Sequence, residues 1–210
     1  MNHRIQIGGQ QMLMHPSGAL FWEERSLLML SDVHLGKISH FRKFGAAIPT
    51  QAVQENFILL RRLVEEFQPF QTVFLGDLFH SSLNKEWDLF EHWVQATPSE
   101  LILVAGNHDI ISPMRFEKIG IHYVEDWELG PFYLSHHPTD TSEHINICGH
   151  IHPAVVLRGS GRQSLRLPCF FLKPKQLILP ALGAFTGSHS LKQGPKDRVF
   201  VLAEGEVIAL

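Results

Sequence analysis

Five short apolar runs in this chain each end on a cluster of oxygen and imidazole side chains, and that recurring pattern limits the folds open to it. Leu27-Leu28-Met29-Leu30 runs into Asp32-Val33-His34, and Thr72-Val73-Phe74-Leu75 runs into Gly76-Asp77. Leu101-Ile102-Leu103-Val104 precedes Gly106-Asn107-His108-Asp109, and Phe132-Tyr133-Leu134 precedes His136-His137. Ile145-Asn146-Ile147-Cys148 precedes Gly149-His150-Ile151-His152. Apolar runs of this length bounded by turn residues suit buried strands. In open α/β sheets, ligands collect beyond the carboxyl ends of the strands. The pattern therefore predicts five neighbouring strand ends delivering their donors to one place.

The intervening sequence fills in the frame. Residues 3 to 31 read as short strands broken at Gly8-Gly9 and Pro16-Ser17-Gly18. Residues 50 to 67 read as a helix, with Val53, Phe57, Leu60, Val64 and Phe67 at helical spacing and Pro69 closing it. A second helix is predicted over 84 to 96, and a short one over 113 to 119 stopped by Gly120. This β-α-β-α-β order predicts a parallel or mixed sheet covered by helices. Beyond residue 121 the texture changes to short apolar runs separated by turns, so the second half should be mainly strands. The expected architecture is one α/β domain over residues 1 to 210, with two mixed sheets packed face to face and helices on the outer faces.

Composition describes an ordinary globular chain, 44% hydrophobic and 19% charged. No apolar run approaches the roughly 20 residues that span a bilayer, so no membrane association is expected. The N-terminal stretch carries Gln6, Gln10 and Gln11 where a signal peptide needs apolar residues, and a cytoplasmic location is expected. Cys148 and Cys169 lie in apolar surroundings and read as reduced, buried thiols rather than a disulfide. The net charge of -3 gives no overall argument for nucleic-acid binding.

Carboxylates, imidazoles and a carboxamide without thiolate suit divalent ions such as manganese, iron or zinc. A bridging carboxylate can hold two such ions about 3.5–4 Å apart. If His150 and His152 lie in an extended segment, they share one side roughly 6.5–7 Å apart, which suits one imidazole per ion. His136 and His137 are adjacent, so alternation allows only one of them to face the ions.

In this order the five motifs resemble the calcineurin-like metallophosphoesterase superfamily, over residues 32 to 152. A narrower resemblance spans nearly the whole chain. Asp32 to Lys37, Phe41-Arg42-Lys43, Gly45 to Pro49, Gly76 to Ser81 and Leu179 to Gly187 are similar to the bacterial DNA-ligase-associated metallophosphoesterases. The superfamily implies a four-layer α/β/β/α sandwich. It implies that Asp32, His34, Asp77 and His152 hold one ion and Asp77, Asn107, His136 and His150 the other, with Asp77 as the bridge. Manganese is the first expectation for both, with iron or zinc as alternatives. His108 would face the scissile phosphate without binding metal, and Asp109 would orient its ring. His80 stands open between a substrate contact and a structural role.

The reaction expected is hydrolysis of a phosphate ester by water activated as hydroxide between two ions, with His108 protonating the leaving group. Monoester or diester is left open by the residues. The narrower resemblance favours a phosphodiesterase acting on nucleotides or nucleic-acid ends, a role in DNA repair, and a functional association with a DNA ligase and a helicase-like protein. The alternatives are a phosphomonoesterase, including a protein phosphatase, and a non-catalytic metal-binding scaffold. Between Ala154 and Arg198 the charges are Arg158, Arg162, Arg166, Lys173, Lys175, Lys192, Lys196 and Arg198 against one acid, Asp197. With Lys37, Arg42 and Lys43 they form either a solvated surface or a basic rim for a polyanionic substrate.

Overall fold

The computed structural model describes residues 1–38, 51–80, 85–183 and 186–210. The expected sites Arg42 and Lys43, with His40 and Ser81, lie outside them. The first sheet has seven strands in chain order: β1 (His3–Ile7), β2 (Gln10–Met14), β3 (Leu20–Trp22), β4 (Leu27–Leu30), β5 (Gln71–Leu75), β6 (Glu100–Val104) and β7 (Ile121–Val124). β1 to β4 pair antiparallel, as short connections require, and β4 to β7 pair parallel. The helices fall within the parallel half. α1 (Gln51–Phe67) leads to β5, α2 (Lys85–Ala96) to β6 and α3 (Pro113–Lys118) to β7.

The second sheet has nine strands: β8 (Trp127–Leu129), β9 (Phe132–Leu134), β10 (Ile145–Cys148), β11 (Pro153–Arg158), β12 (Ser164–Lys173), β13 (Gln176–Ile178), β14 (His189–Ser190), β15 (Arg198–Ala203) and β16 (Glu206–Ala209). β9, β10 and β13 are parallel neighbours, and the long β12 joins β11, β13 and β15 antiparallel. Both sheets are thus mixed, as expected. β7, β8 and β14 are additional strands. Polar or charged residues such as His122, Glu128 and His189 interrupt their apolar pattern.

The two-residue period of a strand decides which core each side chain enters. Leu27, Met29, Val73, Leu75, Ile102 and Val104 face the second sheet and meet Phe132, Leu134, Ile147, Phe170, Leu177 and Phe200. Their neighbours Leu28, Leu30, Phe74, Leu101 and Leu103 face the other way, against Phe57, Leu60, Trp87, Phe90 and Phe116 of the helices. Across the second sheet, Cys148, Cys169, Phe171, Ile178, Val199 and Val201 make a third cluster. Ile151, Leu167 and Leu191 pack against it, and among the described residues the helices stay with the first sheet. Both cysteines are free and fully buried.

Candidate metal centre

The five motifs follow β4, β5, β6, β9 and β10, and all five converge at the carboxyl ends of the parallel strands. The loops after β4 and β5 continue side by side. His34 N–H donates to the Asp77 carbonyl at 3.0 Å, Leu35 N–H to Leu78 at 2.8 Å and His80 N–H to Leu35 at 2.9 Å. This register carries Asp32, His34 and Asp77 to one depth. The second sheet is tied to the same loops. His150 N–H donates to Asp32 Oδ2 at 3.0 Å, Leu182 N–H to the Ser31 carbonyl and Gly183 N–H to the Asp32 carbonyl.

Backbone conformation at the site departs from strand geometry. Nine non-glycine residues among those described have positive φ, and five of them are expected ligands: Asp32, His34, Asp77, His150 and His152. Left-handed conformations are disfavoured for such residues, at about 1–3 kcal/mol each, and persist only where the surroundings fix them. This corrects the extended reading of His150 and His152, which have φ of 66° and 50°. Their separation survives by another route. His150 Nδ1 faces His136 Nε2 at 3.2 Å, whereas His152 Nε2 faces Asp32 Oδ1 at 3.0 Å and His34 Nε2 at 3.4 Å.

Two donor groups form around Asp32. Asp32, His34 and His152 bring their ligand atoms within 4.8 Å of one another, and so do Asp32, Asp77 and His136. Asp77 reaches both, with Oδ1 3.3 Å from His136 Nε2 and Oδ2 3.8 Å from His34 Nε2. Asn107 Oδ1 adds a donor 2.9 Å from His136 Nε2. The outer ring nitrogens set the tautomers. His136 Nδ1–H donates to the Leu75 carbonyl at 2.9 Å, and His152 Nδ1–H to the Thr186 carbonyl at 3.1 Å. A carbonyl only accepts, so each Nε2 keeps its lone pair for the interior. His136 Nε2 thus turns its lone pair toward Asn107 Oδ1 and Asp77 Oδ1, two acceptors that offer it no proton, with His150 Nδ1 also within reach. Asp32 Oδ1 and His34 Nδ1 are buried and accept no aligned hydrogen bond. Such a set fits divalent ions.

Electrostatics agree with that fit at His34 and His150, whereas at His152 the Asp32 carboxylate pulls toward the protonated ring. Burial, outweighing the pull of Asp32, drives the His34 pKa down to about 3, which keeps the ring in the neutral, ligating form. Burial and the neighbouring His137 and His136 lower His150 in the same way. Burial would raise Asp32, but its interaction with His152 prevails and holds the carboxyl below its ordinary range. Reciprocally, Asp32 overcomes burial and raises His152. Burial lowers half-buried Lys37 despite the opposing charges of Asp77 and Asp32.

His108 is exposed at the mouth, with its N–H anchored on Asp77 Oδ1 at 2.9 Å and its ring centroid 5.9 Å from His34 and 4.7 Å from His80. Asp109 has partners other than the expected one. Its carboxylate accepts from Phe79 N–H and Gly106 N–H, both at 3.0 Å, and so braces the β5 and β6 loops instead of orienting the His108 ring. Its burial, with Asp77 nearby, raises its pKa to about 6.

Several supports carry no sequence signal of their own. Ser31 donates to Asp32 Oδ2, buried Glu86 on α2 accepts from Gly36 N–H at 2.6 Å, and His189 N–H donates to the His152 carbonyl. From the segment legible only by resemblance, Thr186 supplies its carbonyl, and Leu182 and Gly183 dock their backbone N–H groups on Ser31 and Asp32.

A two-sheet α/β sandwich that gathers carboxylates, imidazoles and a carboxamide at five strand ends defines a metal-dependent phosphoesterase. The chain belongs to the calcineurin-like phosphoesterase family, whose model matches residues 26–177. Over the whole of both chains it is similar to a Pseudomonas putida protein described as nuclease MPE, at 28% identity and a TM-score of 0.83. A fainter likeness is to the E. coli phosphoesterase Yfce, at 15% identity and a TM-score of 0.44 over 87% of this chain and 96% of that one. No curated protein matches the chain in sequence. Among the described residues no helix is long and apolar enough to cross a membrane.

Proposed function

We propose that this phosphoesterase is a phosphodiesterase acting on nucleotide or nucleic-acid substrates, and that manganese is its working ion. The observation that carries the proposal is the full-length likeness to the Pseudomonas putida nuclease, the relative whose fold and length this chain shares throughout. Charge supports it. Half-buried Lys37 follows the first motif on the β4 loop, and β11, which begins directly after His152, leads into an exposed hairpin bearing Arg158, Arg162 and Arg166. A polyanion reaching beyond the scissile phosphate would meet that hairpin. By the narrower family resemblance, the physiological setting is DNA repair beside a ligase and a helicase-like protein.

When bound, divalent ions supply Lewis acidity for water activation and charge neutralisation. Asp32, His34, Asp77 and His152 hold one, and Asp77, Asn107, His136 and His150 the other. His108 carries the proton to the departing oxygen, since its ring stands at the mouth while its backbone is fixed to Asp77. His80 packs T-shaped against His34 and tilted against His108, and limits where the His108 ring can turn.

The test is a manganese-supplemented comparison of bis-nitrophenyl phosphate, mono-nitrophenyl phosphate and single-stranded oligonucleotides. The diester and the oligonucleotides should be cleaved faster than the monoester, and oligonucleotide cleavage should weaken with salt. His108→Ala should lose about 10²–10⁴-fold on oligonucleotides, less on the nitrophenyl ester, and keep its metal. Preferential monoester hydrolysis without oligonucleotide cleavage would establish a phosphomonoesterase instead.

A further inference from the structure

We infer that His137, which no ligand pattern of the family assigns here, is an additional ligand of the second ion, making that position rich in imidazole. Alternation along β9 should turn His137 away from His136. The chain avoids this by turning immediately after the strand. The His137 carbonyl accepts from Ser135 Oγ at 2.7 Å and from Thr139 Oγ1 at 3.0 Å. Both adjacent rings consequently approach His150. The His137 ring centroid is 4.1 Å from that of His150 and 4.8 Å from that of His136. Ligand atoms of all three lie within 4.8 Å of one another. Small side-chain adjustment brings such atoms to the spacing of donors around one ion, given metal–nitrogen bonds of about 2.0–2.1 Å.

The turn has a buried polar foundation. Asn146 on β10 is fully buried. Its Nδ2 donates to the Tyr133 carbonyl and to Ser135 Oγ, and its Oδ1 accepts from Thr139 N–H and Gln176 Nε2. Buried amides are costly unless satisfied. Here each contact but the last fixes the end of β9 or the turn that presents His136 and His137. His137 itself is exposed, so its ring can reach an ion from the solvent side without repacking the core. An imidazole-rich position favours a borderline ion such as cobalt or zinc more than the carboxylate-rich one does.

This inference rests on the metal centre and not on the choice of substrate, so its test uses cobalt alone. Metal-free protein is titrated with Co²⁺ by calorimetry and visible absorption, for the natural chain, His137→Ala and His137→Phe. The phenylalanine keeps a ring against His150 but has no donor nitrogen. Both variants should lose at least about 10-fold in affinity at one of two positions, with an altered absorption band and the other position retained. If His137→Phe keeps both affinities and the spectrum, His137 is a packing residue and the inference fails. If both variants keep their metal but show a raised KM for oligonucleotides, His137 touches substrate, and the inference fails equally.

Discussion

At the scale of single residues, Asp77 links everything else. One carboxylate oxygen faces His136 and holds the His108 amide, and the other faces His34. Asp77→Asn should therefore weaken ion binding at both positions, whereas His150→Ala and His152→Ala should each weaken mainly one. Metal analysis after dialysis reads this directly, and full occupancy of both positions in Asp77→Asn would remove it as the bridge. The types of residue at the site were legible because the choice of oxygen and imidazole donors is written in the side chains. Their supports were less so. Asp109 looked like a partner for the His108 ring, yet its oxygens go to the amides of Phe79 and Gly106. Those amides lie on two loops, and only the folded chain places both within reach of one carboxylate.

At the scale of elements, the strand ends hold their donors by close backbone approach. Gly149 lies where an added Cβ would overlap the Ser31 hydroxyl and the Asp32 carboxylate. Gly149→Ala should push the β10 loop off the β4 loop and separate His150 from Asp32 Oδ2, which its N–H now reaches at 3.0 Å. Overpacking of this kind costs about 1–3 kcal/mol. We expect a lower melting temperature and weakened metal binding. Gly159→Ala, on the exposed hairpin, should change neither. A Gly149→Ala protein with ordinary metal content would show that the two loops can part without harm. The apolar runs identified β4, β5, β6, β9 and β10 because burial on both faces leaves a continuous hydrophobic signature. They gave no warning of the left-handed turns that follow. Asp and His tolerate such φ values only when surrounding hydrogen bonds over-determine them, and one of those bonds, from His150 N–H to Asp32 Oδ2, joins residues more than a hundred positions apart.

At the scale of the whole molecule, burying ionisable groups makes the metal-free protein sensitive to acid. His34 has a pKa near 3 in the fold against an ordinary 6.5. Between those values the unfolded chain binds a proton there that the native state refuses, so this contribution to stability falls as pH falls from about 6.5 toward 3. Asp109, raised to about 6, acts in the opposite sense. It favours the fold at low pH and loses that contribution as pH rises from about 4 to 6. Comparison with His34→Asn separates the two. In chelator, urea unfolding should show the natural chain losing stability relative to the variant as pH drops from 6.5 to 4. A constant difference would mean that His34 protonates freely in the folded protein.

The sequence by itself determined the donor chemistry, the strand-by-strand order of the motifs, the mixed α/β class and the strand-rich second half. Each is encoded locally, in side-chain type, in the spacing of apolar residues and in turn-forming punctuation. Only the tertiary structure decided how His150 and His152 part company and that His137 joins His136. It alone decided that Asp109 braces loops, and that the Thr186 carbonyl, Ser31 and Glu86 hold the centre in place. Those features depend on atoms from distant segments meeting within hydrogen-bond distance. No local propensity encodes such a meeting, and it arises only when the two sheets close on their shared core.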